Sequence, residues 1–97
     1  MTDTATFSEA EAQKIREVVG AEAFPRGIRG NEFELQFGED AAGKPALWIK
    51  LPVEPEFEAN PSKEWISEIT DFAIQLRSKL LRMELGRWPY ISFKAAS

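Results

Sequence analysis

The chain contains neither cysteine nor histidine. Their absence excludes disulfides, thiolate nucleophiles, zinc fingers, iron–sulfur ligation, Ser-His-Asp triads and histidine general bases together. No Ser-x-x-Lys pair stands in for a histidine base, and no Walker or dinucleotide glycine pattern occurs. No apolar run approaches the roughly 20 residues that a bilayer-spanning helix needs. Met1–Thr6 has neither a basic nor an apolar stretch, so no signal peptide is read there. The expected compartment is the cytoplasm, with no membrane partner. No enzymatic activity, cofactor or metal is expected.

What remains is one ordinary domain. Ninety-seven residues leave no room for a second, and residues 1–6 are expected to be disordered. Hydrophobic residues make up 43% and charged residues 29%, which suits a soluble globular chain. The formal charge is −4, which weighs against non-specific phosphate binding. It is unevenly spread: residues 1–40 hold nine acids and four bases, and residues 61–97 hold four acids and six bases. Such asymmetry is usually two solvated surfaces.

Hydrophobic periodicity predicts five elements. Ser8-Glu9-Ala10-Glu11 reads as a capping box, with Phe7 placed to staple onto Ala12. Ala12, Ile15, Val18 and Val19 follow at helical spacing, and Gly20 closes the helix. Phe33, Leu35 and Phe37 alternate with Glu32, Glu34 and Gln36, the pattern of a half-buried strand. Gly38–Pro45 supplies a hairpin turn into a second strand, Ala46–Leu51. There Leu47, Ile49, Leu51 and Val53 share one face, and Trp48 and Lys50 the other. Pro52 is expected to end that strand or to place it at an edge. Val53–Ala59 reads as an acidic loop.

Asn60-Pro61 is expected to start a long helix that runs to Leu85 and is closed by Gly86. Its apolar stripe holds Trp65, Ile66, Ile69, Phe72, Ala73, Leu76, Leu80 and Met83. Ile74, Leu81 and Leu85 form a second strip, which the first helix is expected to cover. Trp88–Ala95 is the last strand, with Ile91, Phe93 and Ala95 inward and Tyr90, Ser92 and Lys94 outward.

The order helix-strand-strand-helix-strand implies an α+β two-layer sandwich, a three-stranded sheet with both helices on one face. The third strand should lie parallel to the second, joined by a right-handed crossover. The opposite sheet face should carry Glu32, Glu34, Gln36, Trp48, Lys50, Tyr90, Ser92 and Lys94. Uncovered tryptophan and tyrosine are typical interface anchors. Trp48, Lys50, Trp88, Tyr90 and Ser92 are therefore the candidate interface, for a homodimer or another protein partner. Lying over neighbouring lysine and glutamate stems is the plainer role for such rings.

Other patterns carry less. Glu39-Asp40 and the alternating Glu54, Glu56 and Glu58 lack the spacing of a calcium loop and read as solvated. Gly27-Ile28-Arg29-Gly30 spells G-x-x-G beside Arg26, but between a helix and a strand.

The segment Leu76-Arg77-Ser78-Lys79-Leu80-Leu81-Arg82-Met83-Glu84-Leu85-Gly86-Arg87-Trp88-Pro89-Tyr90-Ile91-Ser92-Phe93 resembles the end of ribosome-binding factor A. That family is a KH-like domain that binds the small ribosomal subunit. The resemblance covers about a fifth of the chain closely and the rest in element order. It implies a KH-like topology. The alternative function is an RNA- or ribosome-associated role, for which this chain's own basic residues Arg26, Arg29, Arg77, Lys79, Arg82 and Arg87 are the candidates. The chain departs from the family in being acidic and in lacking an Ala-x-Gly kink in its long helix. No functional residue is carried over. Phe37-Gly38-Glu39-Asp40 with Gly43-Lys44-Pro45-Ala46-Leu47-Trp48-Ile49 is similar to segments of small bacterial proteins of toxin–antitoxin-like gene pairs, which implies partner binding.

Overall fold

The computed structural model describes residues 9–95. The Ser8 cap, the Phe7 staple and the expected disorder of residues 1–6 lie outside them. Helix α1 spans Glu9–Gly20 and buries Ala12, Ile15 and Val19, the positions its spacing predicts. A 3₁₀ turn over Gly30–Glu32 leads into strand β1, Glu34–Glu39, and then β2, Pro45–Val53. Helix α2 spans Pro55–Ala59, α3 Lys63–Arg82 and strand β3 Trp88–Ala95.

The sheet order is β1-β2-β3, with β1 antiparallel and β3 parallel to β2. The register sets Leu35 and Ile91 either side of Ile49, and Phe37 and Pro89 either side of Leu47. These side chains share the face beneath α1 and α3. Ile15, Val19, Leu47, Ile49, Leu51, Leu76 and Leu80 make the centre of the core, with Phe33, Leu35, Phe37, Ile91 and Phe93 packed half-buried at its margin. Each central aliphatic side chain contributes roughly 1.5–3 kcal/mol by leaving water. The α+β sandwich is thus the one its alternation implies.

Several local expectations are corrected. Pro52 neither ends β2 nor lies at an edge: the strand is central and continues to Val53. Pro52 faces the short Ile28↔Val53 bridge, where its carbonyl accepts from Arg29 N at 2.9 Å. The missing N–H therefore costs one bond beside that bridge and none of the ladder to β3.

Glu32 lies in the 3₁₀ turn and not on the strand face. Glu54, Glu56 and Glu58 do not alternate along an extended loop, because Pro55 at the first helical position starts α2. Asn60 then ends α2 rather than starting α3. Ser62 caps α3, its hydroxyl accepting from Trp65 N at 3.1 Å. At the other end α3 stops at Arg82, short of Leu85, and Glu84 takes the left-handed conformation (φ 53°) expected of a glycine.

The apolar strips of α3 also differ from expectation. Ile66, placed in the buried stripe, is 45% exposed. Ile74 and Leu81, placed under α1, are 52% and 43% exposed, whereas Leu85 does pack against the core. Helix α1 lies along the other flank of α3. Lys79 reaches Glu22 just beyond α1 at 2.6 Å, and Phe72 meets Phe24 at 5.2 Å between centroids.

Candidate interaction surface

The sheet face away from the helices is where the candidate interface residues gather. Trp48 and Tyr90 are register partners on β2 and β3. Their rings stack with centroids 5.7 Å apart and planes 16° from parallel. Both are half-buried. Gly38 on β1 lies beside the stack: a Cβ there would touch the Trp48 ring at 3.4 Å, an ordinary contact. The stack is therefore fixed by the strand register.

Tyr90 is held at its far end. Its hydroxyl donates to Asp40 Oδ2 at 3.2 Å. The other carboxylate oxygen of Asp40 accepts from Ala42 N and Lys44 N at 2.9 and 3.0 Å, so one side chain closes the β1–β2 turn and anchors the ring. The Lys44 N–H, then those of Ala42 and the Tyr90 hydroxyl, hold the Asp40 carboxyl below its ordinary pKa. Partial burial, then the Asp40 charge, raises the Tyr90 phenol.

Lys50 donates to Gln36 Oε1 at 2.9 Å, and Lys94 pairs with Glu34 at 2.6 Å. Lys94 and its hydrogen bond hold the Glu34 carboxyl below its usual value. Ser92 lies exposed beside Lys50. Four of the five candidate residues, Trp48, Lys50, Tyr90 and Ser92, thus form one contiguous tract across β2 and β3. The fifth, Trp88, extends it to the sheet end and is 46% exposed.

At that end a cleft of about 550 Å³ opens between the strands and the end of α3. Asp40, Pro45, Leu81, Glu84, Trp88 and Tyr90 are among its walls. It joins the aromatic tract to the exposed apolar strip of α3. The sequence reading missed this continuity because it assigned that strip to α1. The signal was present: Leu81 lies seven residues before Trp88, close enough for one short turn to bring them together.

The alternative RNA-contact residues are distributed differently. Arg26 pairs with Glu68, Arg29 with Glu54 and Glu32, and Lys79 with Glu22. Arg77 donates to Pro89 O at 3.4 Å, and Arg87 to the carbonyls of Gly38 and Ala46 while lying over the Phe37 ring. Arg82 is exposed at the end of α3. Five of the six are thus engaged within the chain. The bidentate Arg29–Glu54 pair, at 3.0 Å on both arms, fastens the G-x-x-G loop to the end of β2.

The loop's two glycines admit rings. A Cβ on Gly30 would lie 2.1 Å from Phe24, and one on Gly27 (φ +84°) 2.7 Å from Phe57. Trp65 completes this corner, its indole N–H donating to Arg26 O at 2.8 Å and its ring meeting Phe57 at 5.2 Å. G-x-x-G is therefore a packing motif here. The turn between α2 and α3 is Asn60–Ser62 and has no glycine.

Glu39-Asp40 belongs to the hairpin end, and no group of three or more acidic residues that could hold a metal ion occurs among the described residues. No helix among them is long and apolar enough to cross a membrane. No family model matches the chain, and no curated protein or solved structure matches it.

Proposed function

We propose that this chain is a small protein-interaction module that engages its partner through the open sheet face and the adjoining cleft. The observation that carries the reading is the exposure of Trp88 at the cleft mouth, continuous with the ordered Trp48–Tyr90 stack. Large aromatics held rigidly lose little side-chain entropy on binding, which is why they anchor interfaces. The cleft beside them accepts an apolar side chain against Leu81, with Asp40 and Glu84 at its polar rim. An acidic chain whose arginines are mostly tied to its own carboxylates and carbonyls suits a protein partner better than a phosphate backbone.

The test is affinity capture with the intact chain, comparing wild type with Trp48→Ala and Trp88→Ala. A protein retained by wild type and lost by roughly tenfold or more with either variant supports the reading. Retention that neither variant alters overturns it, as does binding of RNA that falls steeply with salt.

A further inference from the structure

Strand β3 has only one partner. In the β1–β2 ladder Asp40 N donates to Lys44 O, so the even-numbered residues of β2 point toward β1 and the odd-numbered ones toward β3. In the parallel register the N–H groups of Tyr90 and Ser92 then turn to β2, and those of Ile91 and Phe93 turn outward. The bond from Arg77 to the Pro89 carbonyl agrees, since Pro89 shares their parity. Among the described residues no strand pairs with this outer edge, and Arg77 meets it only at Pro89.

Beside the edge lies the uncovered strip of α3. Steps of 100° place Ile66, Thr70, Ile74, Arg77 and Leu81 within an arc of about 80°. The strip is symmetric about Ile74, with Ile66 eight residues before it and Leu81 seven after. A two-fold axis through Ile74 therefore sets Ile66 of one copy against Leu81 of another. The same axis suits the strand. From the Arg77–Pro89 contact, two residues along β3 cover about 6.6 Å, the rise of about four residues back along α3. That brings Ile91 to within about one helical turn of Ile74.

Charges follow the same symmetry. Lys63 lies in the first turn of α3 and Glu84 just past its end. Each is at the end of the helix dipole that disfavours its sign, and neither forms an ion pair among the described residues. Antiparallel packing of two α3 helices places each opposite the other's counterpart. A 20-residue helix is about 30 Å long, and helix plus strand edge is about 20 Å across, so the face covers on the order of 600 Å² per copy. Specific interfaces bury about 800 Å² per partner, so this area suits a reversible dimer.

We infer that the partner at this face is a second copy of the chain, with β3 joined antiparallel to β3 about Ile91 and α3 packed on α3 about Ile74. Pro89 lacks a donor and limits the joint to a few central bonds. The inference names a partner for the edge side of the surface and does not depend on Trp48.

Sedimentation velocity up to near-millimolar concentration, with circular dichroism to confirm folding, tests it. Wild type is expected to dimerise reversibly. Ile74→Glu is expected to weaken the dimer about tenfold or more, by setting two carboxylates at the axis. Lys63→Glu and Glu84→Lys should each weaken it, and the double exchange should restore it. Because the chain has no cysteine, Ile74→Cys should cross-link to itself on mild oxidation while Lys14→Cys on α1 does not. A monomer throughout the range, or a dimer indifferent to Ile74→Glu and uncrosslinked by Ile74→Cys, overturns the inference. A dimer lost with Trp48→Ala but kept with Ile74→Glu overturns it while supporting the sheet-face reading.

Discussion

Asp40 and Tyr90 show how much one side chain can settle. The carboxylate takes two turn amides on one oxygen and the only tyrosine of the chain on the other. Its lowered pKa means that its stabilising contribution is present above the unfolded value of about 4 and fades as pH falls through the lower folded value. Tyr90 has the opposite sign. Its raised pKa means a contribution present below about 10 and lost as pH climbs through the higher folded value. Alkaline difference absorbance of the single tyrosine is therefore expected to show ionisation above the ordinary phenol range. Asp40→Asn should move it back toward that range, and titration of wild type at or below about 10 would refute the contact. Sequence reading placed both residues correctly by face and turn, but not their bond. They are 50 residues apart, and only the parallel register of β2 and β3 brings them together.

Among the elements, the strands were more legible than the ends of the helices. Strict alternation fixed which of Leu47, Trp48, Ile49 and Lys50 face the core, because a one-residue slip would exchange every one of them. Helix ends depend on competing caps. Asn60-Pro61 and Ser62 both offer a start, and the first was misread because α2 had already claimed Asn60 as its end. Pro55 followed by Glu56 and Glu58 was the overlooked signal, a proline and acids in a first turn. Ser62→Ala is expected to lower stability by about 0.5–2 kcal/mol in urea denaturation, as for other lost caps. Asn60→Ala should cost less, since the bond at that cap comes from the backbone N–H of Asn60 to the Glu56 carbonyl, which alanine keeps. A larger loss at Asn60 than at Ser62 would contradict the assignment of the cap. The strips of α3 show a different limit: periodicity says which residues share a face but not what lies against it. Helix α1 packs on the flank bearing Phe72 and Lys79, and Ile74 and Leu81 are left bare.

At the scale of the whole molecule, the arrangement has two unlike sides. The face under α1 and α3 is closed by a continuous aliphatic core. The other side runs from the Trp48–Tyr90 stack past Trp88 to the cleft, the outer edge of β3 and the strip of α3. An unpaired edge next to exposed isoleucine and leucine is a surface that proteins ordinarily blunt. Among the described residues Pro89 and Arg77 do so at one end and Lys94 at the other, with the middle of the edge left open. Residue-resolved amide hydrogen exchange along β3 tests this account most directly. In dilute solution Tyr90 and Ser92 are expected to exchange slowly while Ile91 and Phe93 exchange fast, and the fast pair should gain protection as concentration rises. Equal protection of all four in dilute solution, or a fast pair indifferent to concentration, would contradict it.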